Sequence, residues 1–540
     1  MHNAQRAIIE LHNARAIIEQ PSFVQHVIMA VYISLLIVVA FYGVHRYILV
    51  YLYIKYRNRI YQPKGKFDQL PRVTVQLPMY NEDVVAERII KATCQIDYPL
   101  DRLEVQVLDD STDHSADIAR RACEQWAAKG YPIKYIHREN RVGYKAGALA
   151  EALPQASGEY IAIFDADFVP PRDILQNVVQ YFTDDKIGMV QVRWDHLNRD
   201  ASLLTKSQAI FLDGHFVIEH TARNRSGRFM HFNGTAGVWR RSTIDDAGGW
   251  EHDTLTEDLD LSYRAQLKGW QFVYLPQVCA PAELPPEIIS FKQQAHRWTK
   301  GSMQTAIKLL YRILKSKQIS RRIKLEAFFH LTNTIVYPLM VLLTLLMYPV
   351  FFGYYHHINA PLKEHQWGHY LFSASLFILA TCSASTFFVF GQRELLGKQA
   401  GWKTILHLPF LMALGVGIAL NNAKAVFEAI WCAIRHQTAE FVRTPKYGVT
   451  GSDRKWRRAR VFTIKKLWLP VLEIAFGTYM AACILISLWY AFGYSTIPFL
   501  MIFAGGYFYV GFTSLYVLWR MHREAEEAAA ALAAAEPLST

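Results

Sequence analysis

The chain has 540 residues, of which 52% are apolar, 14% aromatic and 19% charged. This length accommodates about two or three domains, and the composition indicates a soluble domain joined to membrane helices. The net charge of +12 would suit a nucleic-acid partner. However, the cations gather beside apolar runs, as the positive-inside bias places them, so we expect no nucleic-acid binding. The six cysteines form no C-x-x-C pair, which is typical of packing residues in a reducing compartment.

The first apolar run follows a short internal repeat, HNAQRAIIE and HNARAIIE, which predicts an N-terminal helical segment over residues 1–26. Residues 27–54 are apolar and long enough to span a bilayer, and the cations that follow predict that their carboxyl end is cytoplasmic. A secretory signal peptide is the alternative. No small-residue cleavage site follows the run, so we interpret it as a transmembrane anchor.

Residues 60–300 alternate short β-rich runs with helical stretches, a pattern that predicts a cytoplasmic α/β domain with parallel strands and crossover helices. The β-rich runs are VTVQL, EVQVLD, YIAIFD and GMVQVR. Ligands of open α/β sheets bind at the carboxyl ends of the strands. Polar residues follow the first two runs at this position, namely Tyr80, Glu82, Asp109 and Asp110.

The third run ends in FDADF, which contains Asp165 and Asp167. In an extended chain, residues two apart point to the same side, so both carboxylates would approach one hard divalent cation. Two solvated acids at a strand end are the alternative. The spacing therefore predicts a metal site only if other ligand-binding residues lie at the same edge of the sheet.

Three further motifs contain such residues. Lys145 follows a glycine and opens a helix, so its ammonium group and the helix N-terminus would both meet a phosphate. Glu257 and Asp258 open another helix, where acids also stabilise the macrodipole, and Asp258 is a candidate general base. In Q-A-H-R-W, Arg297 would bind a diphosphate and Trp298 would stack on a sugar ring, although an Arg beside a Trp is also an ordinary interfacial anchor.

The rest of the chain has the composition of membrane-associated and transmembrane helices. Residues 301–325 predict an interfacial helix region, and residues 326–520 predict a transmembrane channel domain followed by a cytoplasmic tail, 521–540. Segment 405–434 carries polar residues that are costly in hydrocarbon, and ten Lys and Arg lie between 433 and 466. We therefore expect residues 405–434 to form an interfacial or re-entrant helix, which leaves the basic loop on the cytoplasmic side. The predicted spans are 27–54, 327–353, 370–391, 467–492 and 497–519.

The motifs D-D-S, D-A-D, T-E-D and Q-x-x-R-W stand in this order between membrane segments, and the chain therefore resembles a processive family 2 glycosyltransferase. QVLDDSTD, GYKAGAL, AIFDADF and FNGTAGVWR resemble cellulose-synthase-like A and C proteins, which make glucomannan and β-glucan backbones, and their bacterial relatives. The resemblance is dense over residues 70–320 and loose in the membrane part.

The resemblance implies a GT-A fold, an inverting transfer from UDP-glucose or GDP-mannose, and a β-linked, β-1,4-type product. It places Tyr80, Glu82, Asp109, Asp110, Lys145, Asp165 and Arg297 at the nucleotide sugar. Asp165 and Asp167 would hold Mg²⁺ or Mn²⁺, and Asp258 with neighbouring Glu257 would provide the base. The acceptor would contact Asn233, Gly234, Thr235, Gln294 and Trp298. Cellulose synthases have a cysteine in place of Asn233, so the identity of the transferred sugar stays open.

The stretch FVRTPKYG resembles the gating loop of these synthases, here residues 440–450. Phe441, Thr444 and Lys446 match its spacing, while Arg443 replaces a valine. A basic loop that binds anionic lipid is the alternative. As a gating loop, the segment would close over the nucleotide sugar.

Two function classes follow. The first is a multi-pass synthase of the plasma or inner membrane that extends a polysaccharide and helps to translocate it, with export or accessory subunits as possible partners. The second is a glycolipid glycosyltransferase of the ceramide or diacylglycerol glucosyltransferase type. A non-catalytic scaffold would need a damaged set of acids, and a serine hydrolase would need a G-x-S-x-G elbow.

Overall fold

A computed structural model describes residues 23–358, 367–435, 437, 440–449, 467–489 and 496–535. Most of the predicted N-terminal segment 1–26 lies outside these residues. So do most of the basic loop 433–466, residue 450 of the predicted gating loop and the last five residues of the tail.

The sheet domain follows an anchor helix, α1, Phe23–Tyr56, and contains seven strands in the described residues. They are β1 Val73–Met79, β2 Leu103–Asp109, β3 Ile133–His137, β4 Tyr160–Ile163, β5 Ile187–His196, β6 Gly237–Arg240 and β7 Gln271–Ala282. The helices between them are α2 Ala86–Cys94, α3 Ser115–Ala128, α4 Tyr144–Ala152, α5 Ile174–Val179, α6 Leu203–Asp213, α7 Thr221–Arg225, α8 Arg241–Asp246 and α9 Glu257–Leu267. A π-helix, Gly214–His220, continues α6 into α7.

The sheet is mixed, with the strand order β3-β2-β1-β4-β6-β5-β7. All four predicted β-rich runs are strands, and β1 pairs in parallel with β2 and β4. β6 is antiparallel to both β4 and β5, which the expectation of parallel strands did not include. Helices cover both faces, and the central strands are buried almost throughout, as their continuous apolar runs require. The predicted α/β domain joined to a helical membrane part is therefore confirmed.

Buried polar pairs help to set the strand register. Thr74 donates to Glu104 across β1 and β2 at 2.7 Å, and Gln76 donates to Gln106 at 3.0 Å. Both pairs are register partners. An isolated amide or carboxylate at these buried positions would be costly, so a slip of one residue would leave four polar groups unsatisfied.

The helical part follows the sheet domain along the chain. It comprises α10 Ile288–Lys315, α11 Arg321–Thr332, α12 Val336–Ile358, α13 Trp367–Leu396, α14 Lys398–Ile405, α15 Leu408–Gly417, α16 Ala419–Arg435, α17 Trp468–Trp489 and α18 Ile497–Ala535. The interfacial helix expected from residue 301 instead begins at Ile288, so the Q-A-H-R-W motif lies on the same helix.

Four helices among the described residues are long and apolar enough to cross a membrane: Phe23–Tyr56, Arg321–Val350, Trp468–Trp489 and Ile497–Glu524. They contain most of four of the predicted spans, and the fifth, 370–391, lies within α13. The segment expected to be interfacial or re-entrant forms α15 and α16, which meet at a bend of 41°. This geometry suits a broken span as well as a re-entrant loop.

The anchor and the sheet domain share a core. Leu49 of α1 is buried with Ile210 of α6 and Phe387 of α13. Beside this core, Glu326 of α11 accepts from Arg223 at 2.9 Å and contacts His45 of α1 at 3.1 Å. Apolar packing and buried charge therefore both join α1 to the domain.

Candidate active site

A cleft of about 1240 Å³, which includes space open to solvent, lies at the carboxyl ends of β1, β2 and β4. It is where a sheet of this topology gathers the residues that follow its strands. The sequence-predicted residues that line it are Tyr80, Glu82, Asp110, Lys145, Asp165, Asp167, Asn233, Gly234, Glu257, Asp258, Gln294, Arg297, Trp298, Phe441, Arg443, Thr444 and Lys446. Asp109 and Thr235 do not line it.

The two acids after β2 have different environments. Arg138 binds Asp110 through two hydrogen bonds, of 2.8 and 2.6 Å, and both side chains are buried. Asp109 is fully buried, accepts from the Tyr135 hydroxyl at 2.7 Å and accepts from the backbone of Ser111 at 3.1 Å. Asp110 therefore faces the cleft in a fixed orientation, whereas Asp109 holds the loop below it.

Arg141 adds a flat cationic surface to the cleft and was not among the predicted site residues. Its guanidinium lies 3.3 Å from the ring centroid of Tyr80 and 5.0 Å from that of Tyr144. Burial lowers the pKa of Arg141. An aromatic ring and a guanidinium stacked in this way suit a planar, electron-rich base.

The D-A-D segment is a turn and not the extended chain we expected, because β4 ends at Ile163 and Phe168 N–H donates to Asp165 O at 3.0 Å. Both acids still face the cleft. Lys145 Nζ donates to Asp165 Oδ1 at 2.5 Å and to the carbonyl of Gly234 at 2.8 Å. Lys446 Nζ donates to Asp167 Oδ2 at 2.6 Å.

The D-A-D acids fit a hard divalent cation. Asp167 Oδ1 is buried and accepts no hydrogen bond from the described residues. Asp165 is about one-third exposed at the same cleft. A buried carboxylate oxygen without a donor is costly, and such oxygens are the ligands that Mg²⁺ and Mn²⁺ prefer.

Glu257 and Asp258 begin α9 at the cleft wall, where the macrodipole favours acids. Asp258 Oδ1 accepts from the Leu259 backbone at 2.8 Å. Burial, followed by repulsion from Glu257, raises the pKa of Asp258 to about 7. Burial also raises the pKa of Glu257. Burial and the neighbouring like charge thus both favour the protonated form of Asp258.

The F-N-G-T loop faces Asp258 across the cleft. Gly234 has φ +79, and a Cβ there would lie 3.0 Å from Asp258 Oδ2, so both backbone and space require glycine. Thr235 is buried, and its hydroxyl accepts from the Asp165 backbone at 2.8 Å. Thr235 therefore positions the D-A-D turn, although it was predicted to contact the acceptor.

The Q-A-H-R-W residues face the cleft from α10. Arg297 lies 4.7 Å from the Phe441 ring centroid and donates to the carbonyl of Val442 at 3.4 Å. Burial lowers the pKa of Arg297, which nevertheless stays a cation because an arginine titrates far above neutrality. Gln294 and Trp298 complete this wall.

The loop predicted to gate the site reaches into the cleft from the end of α16. Phe441 stacks on Tyr144 at 5.7 Å, and Arg443 lies 3.3 Å from Glu82. Burial disfavours the charge of Lys446, but Asp167 and Glu82 raise its pKa. Burial raises the pKa of Glu82 to about 7.

Glu283, which sequence reasoning missed, fastens the end of this loop. Its carboxylate accepts from the backbone N–H groups of Tyr447 and Gly448 at 3.3 and 3.0 Å. It also lies 2.6 Å from Arg88. No local motif marks Glu283, because its partners are brought to it only by the fold.

A family model described as "Glycosyltransferase like family 2" matches residues 71–301. Glucomannan 4-beta-mannosyltransferase 1 of Oryza sativa subsp. japonica is 46% identical over 255 residues, 46% of this chain and 49% of that protein. Glucomannan 4-beta-mannosyltransferase 2 of Arabidopsis thaliana is 40% identical over 320 residues, 56% of this chain and 60% of that protein. The chain thus spans about half the length of the relatives it matches.

Among solved structures, the mannosyltransferase PcManGT from Pyrobaculum calidifontis, in complex with GDP-Man and Mn²⁺, is similar at 20% sequence identity. The match covers 68% of this chain and 99% of that chain, with a TM-score of 0.47.

Proposed function

We propose that residues 71–301, which match the family 2 glycosyltransferase model, form a glycosyltransferase domain, and that the chain is a membrane hexosyltransferase that builds a β-linked glycan of the mannan or glucomannan type from a nucleotide sugar. The observation that carries this proposal is that Asp258 shares one cleft with Lys145, Arg297 and Lys446. The relatives that match at 40% and 46% identity are β-mannosyltransferases by name, which supports the β linkage.

In the proposed reaction the acceptor hydroxyl oxygen attacks the anomeric carbon from the face opposite the diphosphate. The new C–O bond forms as the bond to the diphosphate oxygen breaks, and the hydroxyl proton passes to the Asp258 carboxylate. A carboxyl group with a pKa of about 7 is a suitable base near neutrality. The configuration at the anomeric carbon inverts, and no covalent enzyme intermediate is required.

The departing diphosphate would meet cations from three elements. Lys145 lies at the start of α4, Arg297 on α10, and Lys446 on the loop after α16. Asp165 and Asp167 would hold a Mg²⁺ or Mn²⁺ ion, which would neutralise charge on the diphosphate. On the other side of the cleft, Tyr80 and Arg141 would receive the base, and Arg138 would hold Asp110 towards the ribose.

The acceptor end of the glycan would lie between the F-N-G-T loop and α10. Trp298 offers an apolar ring face on which a sugar stacks, and stacking tolerates the sliding that repeated addition needs. Asn233 and Gln294 would donate hydrogen bonds to sugar hydroxyls. The cleft would face the compartment that holds nucleotide sugars, and the product would leave between the membrane helices.

Replacing Asp258 with Asn tests this function. We expect release of nucleoside diphosphate from GDP-mannose or UDP-glucose to fall by about 10²-fold or more, because the amide cannot accept the proton. Nucleotide binding, measured by calorimetry, should stay close to that of the unmodified protein. Asp117→Asn changes an exposed acid on α3 and is the matched control. Transfer at an undiminished rate by Asp258→Asn would remove Asp258 from the base role.

A further inference from the structure

Three imidazoles converge behind the F-N-G-T loop, on the side away from the proposed reaction. They belong to His215, His220 and His231, and one ring nitrogen of each lies within 4.8 Å of the other two. His220 is fully buried and the other two are partly buried. No step of the proposed transfer uses them.

The π-helix brings two of these residues together. His215 and His220 are five residues apart, and in an α-helix this separation turns side chains about 140° away from each other. A π-helix bonds residue i to i+5, so the same two residues lie on one face. Their Nε2 atoms are 3.0 Å apart. Such π-helical turns are frequent at functional sites.

Glu219 fixes the ring of His215. Its carboxylate accepts from Nδ1 of His215 at 2.9 Å, so Nδ1 carries the proton and Nε2 presents its lone pair to the cluster. Arg223 in turn lies 3.4 Å from the same carboxylate oxygen. A carboxylate behind a histidine is the arrangement that orients metal-binding imidazoles and makes them better ligands.

Several polar atoms of the cluster compete for one partner or have none, and His220 Nδ1 and His231 Nδ1 are buried without a hydrogen-bond partner among the described residues. His215 Nε2 has a single lone pair in the ring plane, yet the Nε2 of His220 and the Nδ2 of Asn233 both lie 3.0 Å from it. Asn233 Nδ2 also lies 3.1 Å from His231 Nε2. Meanwhile Asn233 Oδ1 is buried and has no partner among the described residues.

Turning the Asn233 amide exchanges its oxygen and nitrogen, which have nearly the same shape. The oxygen then faces His215 and His231, so the lone pairs of an oxygen and three nitrogens point at one volume. A cation bound between the members of such a set, or a proton on some of the ring nitrogens, relieves their mutual repulsion.

We propose that His215, His220, His231 and the Asn233 amide oxygen form a transition-metal site, with Zn²⁺ as its preferred ion. Imidazole nitrogens favour Zn²⁺ and its neighbours in the first transition row, whereas Mg²⁺ and Ca²⁺ need oxygen ligands. Ligands about 2.0 Å from a tetrahedral metal are about 3.3 Å apart, close to the spacings of 3.0 and 3.1 Å here. The site is distinct from the D-A-D acids.

The metal would have a positioning role. It would hold the side chain of Asn233, whose other face lines the cleft. This consequence rests on the proposed function, but metal binding does not, so the two can fail separately.

The test is the metal content of the full chain, purified in detergent with an affinity tag that contains no histidine. We expect about one zinc per chain by elemental analysis, and the visible spectrum of tetrahedral Co²⁺ after exchange. His220→Gln and His231→Ala should each lower zinc content at least tenfold. Asp167→Asn and His114→Ala, an exposed histidine, should keep it.

Folded wild-type protein that binds neither zinc nor Co²⁺ stoichiometrically would overturn the proposal, and the cluster would then be a hydrogen-bonded core. Loss of zinc from Asp167→Asn together with its retention in His220→Gln would also overturn it. Thermal unfolding of each variant checks that it is folded, and the wild-type measurement decides the matter even if a variant does not fold.

Discussion

At the scale of single residues, the protonation state of Asp258 depends more on its surroundings than on the intrinsic acidity of a carboxyl group. Burial and the adjacent Glu257 both favour its protonated form and raise its pKa to about 7. Lys145 opposes them, because a nearby cation favours the carboxylate. A small change in the charge of its neighbours would therefore alter the protonation of Asp258.

This balance predicts the pH dependence of transfer. A base acts only when ionised, so kcat/KM should fall about tenfold for each pH unit below about 7. Glu257→Gln removes a like charge, lowers the pKa of Asp258 and should move this acidic limb to lower pH. Initial rates of nucleoside diphosphate release across the pH range measure it. A limb that moves to higher pH in Glu257→Gln would contradict the coupling of the two acids.

Lys446 belongs to the same electrostatic group through Asp167. Lys446→Ala should raise the KM for the donor and lower kcat/KM by roughly 10–100-fold, because a charged hydrogen bond of about 1.5–3 kcal/mol is lost. Lys446→Arg should recover part of the loss. Lys403→Ala, at an exposed position on α14, is the control for charge alone. An unchanged KM in Lys446→Ala would show that the loop does not close on the donor.

Most of the cleft could be predicted because its residues follow strands or open helices, as Asp165, Lys145 and Asp258 do. Arg138, Arg141 and Glu283 could not, since each acts on a partner that only the folded chain brings near. The histidine cluster was hidden for a further reason: a separation of five residues places His215 and His220 on different faces of the α-helix that the sequence pattern predicts.

At the scale of elements, α10 links the cleft to the membrane helices. It carries Arg297 and Trp298 at the cleft. Less than about two turns of the same helix separate them from Lys292, which binds Glu473 of α17 at 2.7 and 2.8 Å. Both members of this ion pair are buried. We infer that this pair helps to set how the two helices meet.

Removing one member of the pair should be costly, whereas removing both should cost much less. Lys292→Met or Glu473→Leu alone should destabilise the protein by about 3–5 kcal/mol, because each leaves a buried charge without its partner. The double variant should recover most of this loss. Thermal unfolding in detergent measures all three. Single variants as stable as wild type would show that water reaches the pair.

A solvent-exposed pair gives the matched comparison. Lys268 and Asp246 lie 3.0 Å apart with both side chains nearly half exposed. Removing either should cost about 1 kcal/mol or less, because solvent screens the charges.

The four predicted β-rich runs were strands, because buried parallel strands have continuous apolar sequences. The short strand β6 was not predicted. Its four residues carry no alternation, and it is a strand because β4 and β5 pair with it on either side. The D-A-D segment was misjudged for a similar reason, since the hydrogen bond from Phe168 N–H to Asp165 O turns the chain two residues after β4 ends.

At the scale of the whole molecule, the cleft is assembled from the sheet domain and from a loop that the membrane part supplies. Arg443 and Lys446 lie between α16 and α17, yet they contact Glu82 and Asp167 of the sheet domain. Closure over the donor and movement of the membrane helices would therefore be coupled through this loop.

The most direct test is the product formed by the purified full chain with GDP-mannose, UDP-glucose or both, in the presence of Mg²⁺ or Mn²⁺. We expect an aqueous polymer that a β-1,4-specific mannanase or glucanase degrades, and no such product from Asp258→Asn. A product that stays in the lipid phase, carries a single hexose and resists these enzymes would contradict the synthesis of a glycan chain.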